Sequence, residues 1–197
     1  MKTFITSIFA VMLATFAMAP AFAAEGRNVY TGVYGGWNWD NAATSEITNS
    51  TGGVAGAVIG TSVPAVPNLR VELDTSYRTN DFDLFDGCLK GSEDTVALMG
   101  NAVYDFPVTF AGGQPYGLVG VGVAKTDMTF ENVSVLQVAS TGLAYQAGAG
   151  MNWNVADGIK AGAGYRYFAG PEVVAFGNQL SDGSNSSVVA QVTFSLN

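Results

Sequence analysis

The sequence predicts an all-β fold: an eight-stranded antiparallel, up-and-down transmembrane β-barrel, preceded by a signal peptide that is cleaved. Three observations predict it. Beyond the N-terminal segment, no apolar run reaches the ~18 residues that a membrane helix needs. Eight segments alternate apolar and polar residues with a period of two. The polar phase mixes glycine with charges of both signs, while aromatic residues of the apolar phase gather near segment ends.

Composition agrees. A chain of 197 residues suits one domain, and 48% hydrophobic residues with only 12% charged and 25 glycines suit a wall that turns one face to lipid. The net charge of −8 removes any basic footprint, so no nucleic-acid partner is expected. There is one cysteine, Cys88, and no histidine. That excludes an intrachain disulfide, Cys/His zinc sites and every catalytic apparatus that needs an imidazole.

The N-terminus reads as a processing segment over residues 1–23, leaving residues 24–197 as the barrel domain. Lys2 supplies the positive charge, Phe4 to Ala17 the short apolar run, Pro20 its end, and Ala21-Phe22-Ala23 the small-x-small cleavage pattern.

Strands are expected near 28–39, 52–63, 68–79, 94–106, 115–126, 141–155, 158–168 and 186–196. In the third, Leu69, Val71, Leu73, Thr75 and Tyr77 oppose Arg70, Glu72, Asp74, Ser76 and Arg78. In the sixth, Tyr145, Ala147, Ala149, Met151 and Trp153 oppose Gln146, Gly148, Gly150, Asn152 and Asn154. In the seventh, Ile159, Ala161, Ala163, Tyr165 and Tyr167 oppose Lys160, Gly162, Gly164 and Arg166. In the eighth, Val188, Ala190, Val192, Phe194 and Leu196 oppose Val189, Gln191, Thr193 and Ser195. The second strand is ambiguous in phase.

A soluble sandwich or lipocalin would hide the apolar phase; a membrane barrel turns that phase to lipid. Two features favour the barrel. A cramped interior needs small residues beside a few long charged ones, which accounts for the glycines. Trp37, Trp39, Tyr77, Tyr104, Phe106, Trp153, Tyr165 and Tyr167 lie where interfacial girdles form. Connections near 40–51, 80–93, 127–140 and 169–185 are long and polar, whereas 64–67, 107–114 and 156–157 are short. That is the asymmetry of external loops and periplasmic turns.

Asn28-Val-Tyr-Thr-Gly-Val-Tyr-Gly-Gly-Trp37, Gln114-Pro-Tyr-Gly-Leu-Val-Gly-Val-Gly-Val-Ala124, Gly148-Ala-Gly-Met-Asn-Trp153 and Gly162-Ala-Gly-Tyr-Arg-Tyr167 resemble strands one, five, six and seven of the opacity/OmpA-like small outer-membrane barrels, often called a porin family. The resemblance spans the chain after the signal segment and specifies no chemistry. It implies eight strands, location in the bacterial outer membrane, insertion by the barrel-assembly machinery, and surface roles such as adhesion, envelope integrity or host contact.

An eight-stranded barrel is only wide enough for side chains to fill. The candidates are Arg70, Glu72, Asp74, Arg78, Asn101, Asp105, Gln146, Asn152, Lys160, Arg166 and Gln191. Buried charges must pair, so a network of Arg70, Glu72, Asp74, Arg78, Lys160 and Arg166 is expected, with Arg70, Glu72, Asp74, Lys160 and Arg166 joined. It reads as a structural plug, or alternatively as the lining of a narrow porin-like channel for ions or small solutes. The first reading makes the chain a structural or interaction protein that displays four loops, and no enzyme. Ser181, Ser184, Ser186 and Ser187 read as a solvated external loop with no imidazole to activate them.

The second loop, Asp81-Phe-Asp-Leu-Phe-Asp86-Gly-Cys-Leu-Lys90, is the most individual segment. Asp81, Asp83 and Asp86 are candidates for weak divalent-cation binding without EF-hand spacing, shared with lipopolysaccharide phosphates. Phe82, Leu84 and Phe85 offer a partner contact or a cover for the rim. Cys88 is a free thiol or an intermolecular bridge. No cofactor is expected, and a monomer suffices.

Overall fold

Each alternating segment is a strand in the computed structural model, which describes residues 28–41, 47–48, 51–84, 89–130, 137–175, 178–181 and 183–196. The wall is made of β1 (Val29–Asp40), β2 (Thr51–Ser62), β3 (Leu69–Leu84), β4 (Leu89–Asp105), β5 (Gln114–Phe130), β6 (Gln137–Ala156), β7 (Ile159–Ala169) and β8 (Ser184–Ser195). Every strand pairs antiparallel with its chain neighbours, β1 pairs with β8, and no edge is left in the ring. In lipid nothing else would satisfy the backbone groups.

The register sets the geometry. From Asn80 of β3 the pairing runs through Gly52, Asn38, Ser187, Arg166, Gly148, Leu118 and Val103 and returns to β3 at Arg70, ten residues lower. With eight strands, such a stagger tilts them by roughly 40° to the barrel axis. The tilt brings side chains that are far apart in sequence to one level of the lumen.

The predicted phases hold. Val96, Leu98, Val119, Val121, Val123, Leu143 and Val188 are exposed on the outer wall, as a lipid face requires. Asp74, Arg78, Asn101, Gln146 and Arg166 are buried in the lumen. The structure also settles β2: Gly56 and Gly60 lie under the rings of Tyr34 and Tyr30, where any Cβ would clash. Val54 and Val58, in phase with them, pack inward with Tyr34 and Val189.

Four strands are taller than their sequence suggests. β3 to β6 have 16, 17, 17 and 20 residues, against 11 or 12 in the others. Much of the expected loops at 80–93 and 127–140 is therefore ladder. Polar residues enter both phases there, so the sequence looks like loop although the pairing continues. Asp81 and Asp83 accordingly sit in β3, opposite Ser92 and Lys90. The serine-rich segment is a second correction. Ser184, Ser186 and Ser187 are buried in β8 rather than solvated. Tyr165 covers Ser186 with a hydroxyl contact of 2.6 Å, and Ser187 shares the inward phase of Val189.

Candidate functional site

The chemistry of this chain is concentrated in the lumen, where two polar layers carry ion pairs among the described residues. The lower one lies near the end where β1 begins, β8 ends and the short turns lie. Arg70 of β3 forks onto Asp105 of β4, with Nε donating to Oδ2 at 2.7 Å and Nη2 to Oδ1 at 2.9 Å. Its Nη1 donates to Glu72 Oε1 at 2.9 Å and to the Tyr30 hydroxyl oxygen at 2.6 Å. Tyr30 in turn donates to the same Glu72 oxygen at 2.6 Å. One guanidinium thus serves two carboxylates. This layer keeps some contact with solvent: the Arg70 and Asp105 side chains are 14% and 12% exposed.

The central layer is dry. Asp74 is 0% exposed and accepts four hydrogen bonds. The Tyr34 hydroxyl donates to Oδ1 at 2.8 Å. Oδ2 takes Arg166 Nη1 at 2.8 Å, Asn101 Nδ2 at 3.3 Å and Gln146 Nε2 at 3.4 Å. Arg166 also lies over the Tyr34 ring, 4.0 Å from its centroid. From Arg166 a weaker chain runs to Gln191 and on to Asn152. The four donors of Asp74 come from β1, β4, β6 and β7, at separations of 27 to 92 residues along the chain.

Above it stands a different arginine. Arg78 is 1% exposed, lays its guanidinium 4.0 Å from the Phe168 ring centroid, and donates to Ser76 Oγ at 2.6 Å. Among the described residues its Nε and Nη2 find no hydrogen-bond partner, and no carboxylate forms an ion pair with it. Asp74, the acid it would share, already accepts from four other donors.

Toward the upper end Asn38 Nδ2 donates to Asn80 Oδ1 at 2.9 Å and the Thr95 and Thr126 hydroxyls meet at 2.9 Å, and apolar side chains line other parts of the lumen. Ala97, Met99, Ala124, Ala144 and Phe168 cluster on the inner wall of β4 to β7, and Val103, Tyr116 and Leu118 cluster lower down.

The structure therefore brings Arg70 and Glu72 together, brings Asp74 and Arg166 together, and leaves Arg78 outside both ion pairs. Lys160 makes no ion pair among the described residues; it lies at the lower rim opposite Thr193 and Asn154. The two layers also contain residues that pairing of charges alone did not single out: Asp105 as the main partner of Arg70, and Tyr30 and Tyr34 as hydroxyl donors. The two tyrosines share the phase of Gly32 and Gly36, opposite Trp37 and Trp39, so their inward direction was readable. Their hydrogen bonds were not.

Asp81 is exposed on β3 and Asp83 follows it in the strand; Asp86 lies outside the described residues, as do Phe85, Cys88 and residues 1–23, the segment expected to be a signal peptide. Among the described residues no group of three potential metal ligands converges.

Comparison with known proteins agrees with this architecture. A family model described as "Outer membrane protein beta-barrel domain" matches residues 8–194. Neisserial surface protein A superposes with a TM-score of 0.62 at 15% identity, over 84% of this chain and 96% of that one. A major outer membrane protein of Thermus thermophilus gives 0.61 at 11% identity, over 87% and 100%. At such identities the likeness concerns the fold. No curated protein sequence matches the chain.

Proposed function

We propose, from the premise that this chain belongs to the outer membrane protein β-barrel domain family, that it is a non-conducting barrel of the bacterial outer membrane. Its work is to hold the tall β3–β6 wall and the external connections at the cell surface. In this reading the barrel is a rigid mount, not an enzyme, and acts as a monomer. Lipid and lipopolysaccharide surround it, the barrel-assembly machinery inserts it, and its external segments contact the envelope or a host surface.

The observation that carries the reading is Asp74. A carboxylate at 0% exposure, held by four donors and flanked by the apolar cluster around Phe168, supports a bore without a water-lined path at that level. An open pore would instead keep its acidic groups hydrated. The two networks, one around Arg70 and Glu72 and one around Asp74 and Arg166, then stiffen the wall, because most of their bonds join different strands.

Refolded protein in a planar bilayer tests this, once a heat-dependent shift in gel mobility shows that it is folded. Silence supports the mount. Regular unitary steps that change in ion selectivity with Arg70→Ala or Arg78→Ala would replace it with a narrow channel. One observation favours that second reading: Arg78 places in the upper lumen a cation without a carboxylate partner among the described residues, and such a group would attract anions if the bore opened.

A further inference from the structure

The connection between β4 and β5 is the most unusual of the short turns. Residues 106–113 read Phe-Pro-Val-Thr-Phe-Ala-Gly-Gly, and no charged residue occurs from Phe106 through Ala124. Val108 and Phe110 are 59% and 71% exposed. A turn that simply faced the periplasm would have no reason to present an unshielded phenyl ring to water.

The turn is built rather than loose. Phe110 and Gly113 exchange two backbone hydrogen bonds of 2.9 Å, closing a tight hairpin around Ala111 and Gly112. Both central residues take left-handed φ, 49° and 74°, the pattern of a type I′ turn. For alanine that conformation costs about 1 kcal/mol. The strained residue turns its carbonyl to Trp153, whose Nε1 donates to it at 3.2 Å.

Direction follows from that contact. Trp153 and Met151 belong to the outward, lipid-facing phase of β6, and Gly113 lies directly against both side chains. On the other side the Phe106 ring lies over Gly117 on the outer wall and meets the edge of Tyr104 at a centroid distance of 5.4 Å. The turn is therefore continuous with the outer apolar surface. It leans against that surface and extends it below the strand ends.

We infer that residues 106–113 are an interfacial foot: a preformed turn that inserts Phe110 and Val108 into the headgroup–acyl boundary of the periplasmic leaflet, clamped to the barrel by Trp153. The partner is the phospholipid surface itself. Continuity with the lipid-facing wall, the absence of charge and an aromatic ring on each flank all select lipid over water. Amphipathic or apolar rings at this depth fix the height and rotation of a barrel in its membrane.

Spin-label accessibility reads the depth directly. In a Cys88→Ser background, nitroxides at Phe110→Cys and Asp157→Cys are compared in phosphatidylethanolamine/phosphatidylglycerol vesicles. The Asp157-Gly158 turn serves as the water-facing reference. The foot predicts several-fold higher collision with oxygen relative to a water-soluble nickel complex at position 110 than at 157. Phe110→Lys should then slow insertion into these vesicles, while Phe110→Leu should not. If the label at 110 meets the nickel complex as freely as the label at 157, the foot is wrong. The apolar turn would in that case face the periplasm as a surface for a protein. If Trp153→Phe leaves the depth at 110 unchanged, the clamp is wrong, whatever the lipid contact.

Discussion

The two polar layers of the lumen use the same vocabulary and reach opposite solutions. Near the termini, Arg70 divides itself between Glu72 and Asp105, with Tyr30 closing the ring. In the centre the carboxylate is the shared group: Asp74 collects Arg166, Tyr34, Asn101 and Gln146. The lower layer has more acid than base and keeps part of its surface in water. The central one is almost wholly buried, and an extra arginine stands above it. Water can replace a missing partner in the first layer and cannot in the second. Burial, not the number of bonds, should therefore rank their importance.

Asp74→Ala breaks the comparison most forcefully. It strands Arg166 in a dry lumen beside Arg78, and removal of one member of a buried pair costs about 3–5 kcal/mol. Urea unfolding in vesicles, followed by gel mobility, measures it. A loss below that of the lower layer would show that the lumen is wetter than its packing indicates. Arg70→Ala should cost less, about 1–3 kcal/mol, because Glu72 and Asp105 can be hydrated from the nearby mouth. Equal losses at Asp74 and Arg70 would erase the distinction between the layers.

Ala111→Gly lies far from the central layer and serves as a control on the wall. Relief of left-handed strain should raise stability by about 1 kcal/mol without touching either network. The smallest effect is expected for Arg78→Met. Its hydrogen bond to Ser76 and its stacking on Phe168 are offset by the cost of burying a guanidinium with two nitrogens unsatisfied. Methionine keeps the contact with the ring. Stability should be unchanged within the error of unfolding measurements; a loss approaching that of Asp74→Ala would make Arg78 a second counter-ion of Asp74.

Individual strands show what could be read in advance. Where one face of a strand meets lipid and the other the lumen, alternation is forced, and β3, β6, β7 and β8 were legible residue by residue. Where polar residues enter both phases, as in β3 beyond Tyr77 or β6 before Thr141, alternation fades and strand looked like loop. In β2 small and aliphatic residues occupy both phases, so only the rings of Tyr30 and Tyr34 decide which side is inside.

The sequence by itself determined the class of the fold, the order and direction of its strands, and which charges point inward, because a period of two between two different solvents leaves little freedom. Which of those charges meet was decided by the tertiary structure alone. The ten-residue stagger around the ring carries Arg166 to Asp74 and Asp105 to Arg70, and it leaves Lys160 at the rim. Stagger belongs to the closed barrel as a whole and is written in no single strand.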